Sequence, residues 1–95
     1  YKPFDRCWPL LKKHTVYFHI KDGVQEPRRI CPAGEGDAQI KEILSDAIAS
    51  GFEGFLSLEP HLAHGGQFGG FTGPDLFKIA AQALKKILDD IGAEY

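Results

Sequence analysis

The residues best suited to chemistry stand at the ends of two alternating stretches. YFHIKD, residues 17–22, ends in His19, Lys21 and Asp22, and GFLSLEP, residues 54–60, carries Glu59. A strand that only filled a core would have no use for an imidazole, an ammonium and a carboxylate at its far end. Side chains alternate between the two faces of a strand, so Tyr17, His19 and Lys21 share one face and Val16, Phe18 and Ile20 the other. In the second stretch Phe55, Ser57 and Glu59 share a face, opposite Leu56 and Leu58. If the two are neighbouring parallel strands about 4.8 Å apart, His19 and Glu59 converge at matching ends. A neutral imidazole nitrogen beside a carboxylate oxygen suits a divalent ion such as Mn²⁺, Co²⁺ or Zn²⁺. Taken singly, a strand histidine more often belongs to a core or an edge, and a glutamate before proline to a strand end in solvent. Their shared face and depth make the pair a candidate metal site, although a metal site normally has three or four ligands.

The elements that must position this pair follow from the pattern around it. Residues 4–13, FDRCWPLLKK, repeat apolar positions at helical spacing (Phe4, Cys7, Trp8, Leu11), with Pro9 awkward inside the helix. Residues 15–22 read as a strand by their β-branched and aromatic content. Residues 23–36, with Pro27, Pro32, Gly34 and Gly36, read as a loop. Asp37 is placed to cap a helix whose stripe is Ile40, Ile43, Leu44, Ala47 and Ile48, and Gly51 to stop it. Residues 54–60 are the second strand. Pro74 fits the first turn of a last helix, 74–92, with a stripe through Leu76, Ile79, Ala80, Ala83, Leu84, Ile87, Leu88 and Ile91. Strands alternating with amphipathic helices predict an α/β fold with right-handed crossovers and parallel strands. Two parallel strands have two open edges, and their apolar stripes call for more sheet than this chain supplies. The chain is therefore expected to be a part of a larger α/β protein or to pair with copies of itself.

Composition narrows the partners. The chain has 95 residues, 43% hydrophobic and 25% charged, with a formal net charge of −2. No basic stripe suggests nucleic acid, no apolar run approaches the roughly 20 residues of a membrane helix, and no signal peptide is evident. Cys7 and Cys31 are too few for a disulfide framework and lack a CxxC spacing, which favours two reduced thiols in a cytoplasmic protein.

YFHIKD, CPAGEGD before a helix and GFEGFLSLEP, in that order, resemble the C-terminal part of the xylose-isomerase-like barrel superfamily of sugar phosphate isomerases and epimerases. Its relatives include tagatose and psicose epimerases, inosose dehydratases and, more distantly, the endonuclease IV type of DNA-repair enzyme. The resemblance implies a partial TIM barrel, the last two βα units of a (β/α)₈ parent. Residues 1–95 would then span the end of helix 6, strand 7 (15–22), helix 7, strand 8 (54–60) and helix 8 (74–92). In such a barrel the active site lies at the carboxyl ends of the strands. It implies that His19 and Glu59 match two metal ligands and that two more ligands, a glutamate and an aspartate, come from strands 5 and 6, absent from this chain. The implied cofactor is a divalent metal (Mn, Co, Mg or Zn), and the substrate a sugar or sugar phosphate. The implied reaction is proton transfer beside a carbonyl through an enediolate, with Glu59 as one of two proton-moving glutamates.

Gln25 departs from the pattern, since free-ketose epimerases carry an arginine six residues after the metal histidine. Lys21 and Asp22 fit the inosose-dehydratase and uncharacterised isomerase branches better. No DxH pair follows HIKD, which makes the hydrolytic branch a minor alternative. Softer substrate-contact candidates are Lys21, Asp22, Glu35, His61 and His64. Asp22 could equally orient a ligand from behind or form a turn, and Glu35 could simply belong to a tight glycine-flanked loop. The run GGQFGGFTGPD reads as a flexible closing loop with no nucleotide fingerprint. The isolated chain is expected to be inactive, and a non-catalytic, self-associating partial barrel is the competing expectation.

Overall fold

In the computed structural model residues 2–59 and 73–95 are described. The elements run α1 (Pro3–Arg6), α2 (Trp8–Leu11), a 3₁₀ turn (Lys12–His14), β1 (Phe18–Ile20), β2 (Asp22–Val24), β3 (Arg29–Cys31), α3 (Ile40–Ala49), β4 (Leu56–Leu58) and α4 (Gly73–Asp90). β1 and β4 form a parallel pair, and β2 and β3 a separate antiparallel hairpin. The chain is a mixed α/β fold with a radius of gyration of 13.5 Å, close to the roughly 13 Å of a 100-residue domain.

The single helix expected over 4–13 is broken at Cys7, which ends α1 and begins α2. The break follows from Pro9. Inside a continuous helix it would leave the Asp5 carbonyl without its donor and press its ring against that carbonyl. Placed in the first turn of α2, it displaces no helical bond. The indole N–H of buried Trp8 donates to Asp46 Oδ2 at 2.8 Å, and Lys12 Nζ lies 2.7 Å from the same oxygen, so α2 is tied to α3.

The first expected strand, 15–22, shortens to three residues. Val16, expected to face the helices, precedes β1 and is 80% exposed. The expected loop over 23–36 contains the β2–β3 hairpin, paired Asp22 with Cys31, Gly23 with Ile30 and Val24 with Arg29. Asp37 does not cap α3. Its Oδ2 accepts the Gln25 N–H at 2.8 Å, fastening the hairpin to the loop that follows. Gln39 takes the position before α3 in a left-handed conformation (φ 56°, ψ 42°), and its Oε1 accepts the Phe4 N–H at 2.9 Å.

At the end of α3, Gly51 (φ 92°) closes a Schellman turn, with bonds from Gly51 N–H to Ile48 O and from Phe52 N–H to Ala47 O. Glycine is required there because a left-handed residue with a Cβ is strained. The stripes of α3 and α4 meet the sheet as their spacing predicts. Ile20, Leu44, Leu84, Ile87 and Leu88 are buried together, with Phe18, Ile40, Ile48, Leu56, Leu58 and Ile91 packed around them. Ile79 departs from its stripe and is 46% exposed. Leu44, 1% exposed, gains about 1.5–3 kcal/mol from burial of its side chain. Both helices therefore cover one face of the β1–β4 pair, the face of Ile20, Leu56 and Leu58.

Candidate functional site

The opposite face of the pair carries Tyr17, His19, Ser57 and Glu59. The register sets Phe18 opposite Leu56, His19 opposite Ser57 and Ile20 opposite Leu58. Backbone bonds from Phe18 N–H to Phe55 O and from Glu59 N–H to Ile20 O extend the pairing at both ends. The period of two then sets Glu59 diagonally ahead of His19 on the same face. His19 Nδ1 lies 2.8 Å from Glu59 Oε2. The imidazole is 56% and the carboxylate 40% exposed, so both open onto solvent from this face. A carboxylate only accepts, so the hydrogen in this contact belongs to Nδ1, and the lone pair of a neutral ring lies on Nε2.

Behind His19 the same diagonal repeats. The Tyr17 and Ser57 hydroxyls are hydrogen-bonded across the strands. The Tyr17 ring meets the His19 imidazole edge to face, with centroids 5.0 Å apart and planes at 74°. The sequence placed Tyr17 and Ser57 on this face without giving them a role. The signal available was their parity with His19 and Glu59.

Asp22 and Glu35 are placed elsewhere. Asp22, one residue past the exposed Lys21, is 4% exposed. Its carboxylate accepts four backbone N–H groups: Gly23 at 2.8 Å and Ala38 at 3.1 Å on Oδ1, Gly34 at 2.9 Å and Gly36 at 3.1 Å on Oδ2. This side chain organises the loop that follows β3. Gly36 has to be glycine here, because a Cβ would collide with Asp22 Oδ1 and the Gly23 carbonyl. Glu35 lines a cleft of about 550 Å³ with Gln39, Lys41, Lys86 and Asp90, which neither His19 nor Glu59 borders. Cys31, paired with Asp22, is buried and free, and Cys7 is exposed and free. Burial, reinforced by the Asp22 charge, pushes the Cys31 thiol up from its ordinary value. His61, His64 and the glycine-rich run around them lie outside the described residues.

An imidazole nitrogen and a carboxylate oxygen in contact at the ends of two parallel strands form a donor set that fits a borderline divalent cation. They supply two ligands. Among the described residues no group of three or more His, Cys, Asp and Glu side chains is placed to hold a metal ion. Among them, too, no helix is long and apolar enough to cross a membrane.

Fold and site together define a mixed α/β chain with a two-stranded parallel sheet, covered by helices on one face and bearing an imidazole–carboxylate pair on the other. Comparison with protein-family models, with curated proteins and with solved structures finds no match in any of the three.

Proposed function

We propose that the chain is part of a divalent-metal-dependent sugar or sugar phosphate isomerase or epimerase, and that its strands β1 and β4 belong to a (β/α)₈ barrel. The observation that carries this reading is the contact between His19 and Glu59 across parallel strands, both open to solvent at the strands' carboxyl ends. In an α/β barrel those ends are where chemistry is done. His19 and Glu59 would hold the ion together with ligands from outside these 95 residues. When bound, it would polarise the sugar's carbonyl and hydroxyl oxygens.

The chain's own contribution is proton transfer. A Glu59 carboxylate oxygen takes the proton from the carbon beside the carbonyl, the C–H electron pair moves into a carbon–carbon double bond, and the carbonyl oxygen gains the charge. Return of a proton to either carbon or either face completes isomerisation or epimerisation. His19 orients the Glu59 carboxylate through Nδ1. A cytoplasmic setting accompanies this reading, since Cys7 and Cys31 are both free.

Calorimetric titration of the 95-residue chain with Mn²⁺ tests the proposal. It predicts weak, saturable one-to-one binding that His19→Ala and Glu59→Ala each abolish. Absence of saturable binding, or binding indifferent to both substitutions, would contradict it. The isolated chain is expected to show no isomerase turnover above background, because it holds only part of the ligand set.

A second reading is favoured by a different observation. Phe55 is 78% and Tyr17 46% exposed on the sheet face that the helices leave open, and Leu10 and Leu11 are 73% and 56% exposed on α2. These side chains suit a partial barrel that associates with copies of itself.

A further inference from the structure

The face that bears His19 and Glu59 also bears a pair of hydroxyls that the proposed reaction does not use. Tyr17 and Ser57 are hydrogen-bonded across β1 and β4, and the Tyr17 ring abuts the His19 imidazole edge-on. Among the described residues, Glu59 and Tyr17 both contact His19 on this face. Glu59 holds Nδ1 from ahead at 2.8 Å, and the Tyr17 ring packs against the imidazole from behind. A tyrosine this exposed, at 46%, would ordinarily sample several orientations of its ring. The bond to Ser57 fixes the phenol tip, and so fixes the ring edge against which the imidazole rests.

We propose that Tyr17 and Ser57 are a positioning pair for His19. Together they hold its ring so that Nδ1 faces the Glu59 carboxylate, where its hydrogen stands in the place a shared ion would take. The arrangement sets the imidazole against an aromatic wall anchored by its own hydroxyl. What would take the place of that hydrogen rests on the metal-site reading. The ring orientation does not, because it is argued from the contacts with Glu59 and Tyr17 alone.

Long-range ¹H–¹⁵N NMR of the ¹⁵N-labelled 95-residue chain, recorded without metal, reads the tautomer directly. The parent chain is expected to show a pyrrole-type Nδ1 and a pyridine-type Nε2 at His19. Tyr17→Phe and Ser57→Ala each remove one end of the same hydroxyl bond. Each should lower the ratio of the two tautomers by roughly fivefold, the scale of one ordinary hydrogen bond. The double variant should lower it no further, and Ser57→Thr should keep the parental ratio. Tyr17→Leu, which removes the aromatic wall as well, should move the shifts furthest. Parental shifts in Tyr17→Phe, Ser57→Ala and Tyr17→Leu alike would overturn the proposal, as would a pyridine-type Nδ1 in the parent chain. Addition of Zn²⁺ then separates the two claims. A shift change centred on Nδ1 supports both, and one centred on Nε2 overturns an ion shared with Glu59. No change at either nitrogen overturns the metal-site reading, while the positioning pair stands or falls on the tautomer ratios.

Discussion

Asp22 shows how a residue chosen for its chemistry can be occupied by structure. Its carboxylate meets four backbone donors and is all but closed to solvent. Asp22→Ala leaves four N–H groups without their acceptor, and the cost of even one buried unsatisfied donor is about 1–3 kcal/mol. Urea unfolding of Asp22→Ala is expected to show a loss of about 3 kcal/mol or more, and Gly36→Ala a loss from collision with the same carboxylate. A loss within about 0.5 kcal/mol for Asp22→Ala, the range of ordinary surface changes, would show that the loop is held by something else. The sequence presented Asp22 next to Lys21 at a strand end, which invites a substrate-contact role. What it could not show is the return of residues 34–38 to that carboxylate, because the contacts span 12 to 16 residues and depend on the hairpin between. The meeting of His19 and Glu59 across the strands, by contrast, was legible from parity: a strand's period of two leaves little freedom once parallel pairing is granted.

Among the elements, α3 and α4 were readable because a 3.6-residue stripe persists over ten and eighteen residues. The hairpin was not, because each of its strands is three residues long and carries no alternation to recognise. The helix over 4–13 was misjudged because its apolar spacing survives a break that Pro9 enforces. What holds the broken segment is the tie from Trp8 and Lys12 to Asp46. The Lys12 hydrogen bond, then that of the Trp8 indole, keep the Asp46 carboxyl below the usual carboxylate range. A carboxyl depressed in the folded state contributes stability that is present above its unfolded value, about 3.9, and lost as the pH falls through the lower folded value. Trp8 is the sole tryptophan, so its fluorescence reports this tie. Acidification from neutral pH should leave the emission steady to below the ordinary aspartate range and change it there. Asp46→Asn should shift the emission at neutral pH and remove that acid transition. An unaltered acid profile in Asp46→Asn would contradict the assignment.

At the scale of the whole molecule, a parallel pair covered by helices on one face presents Tyr17 and Phe55 on the other. Clefts of about 350 and 450 Å³ border the pair, the first lined by Leu11, Tyr17, His19 and Ile43, the second by Phe52, Phe55, Leu58 and Leu88. Parallel sheets are ordinarily covered on both faces, so size-exclusion chromatography with light scattering on the 95-residue chain should find assemblies larger than one copy. A stable monomer across concentration would count against the self-association reading. The function rests more narrowly on whether His19 and Glu59 act as one site. The most direct test is a double-mutant cycle on Co²⁺ affinity, followed by the visible absorption of the bound ion, with His19→Ala, Glu59→Ala and the double variant. If the two side chains grip one ion, either single change removes nearly all binding and the double change removes little more, a strong departure from additivity. Additive losses, or a parent chain that binds no Co²⁺ at all, would contradict the account.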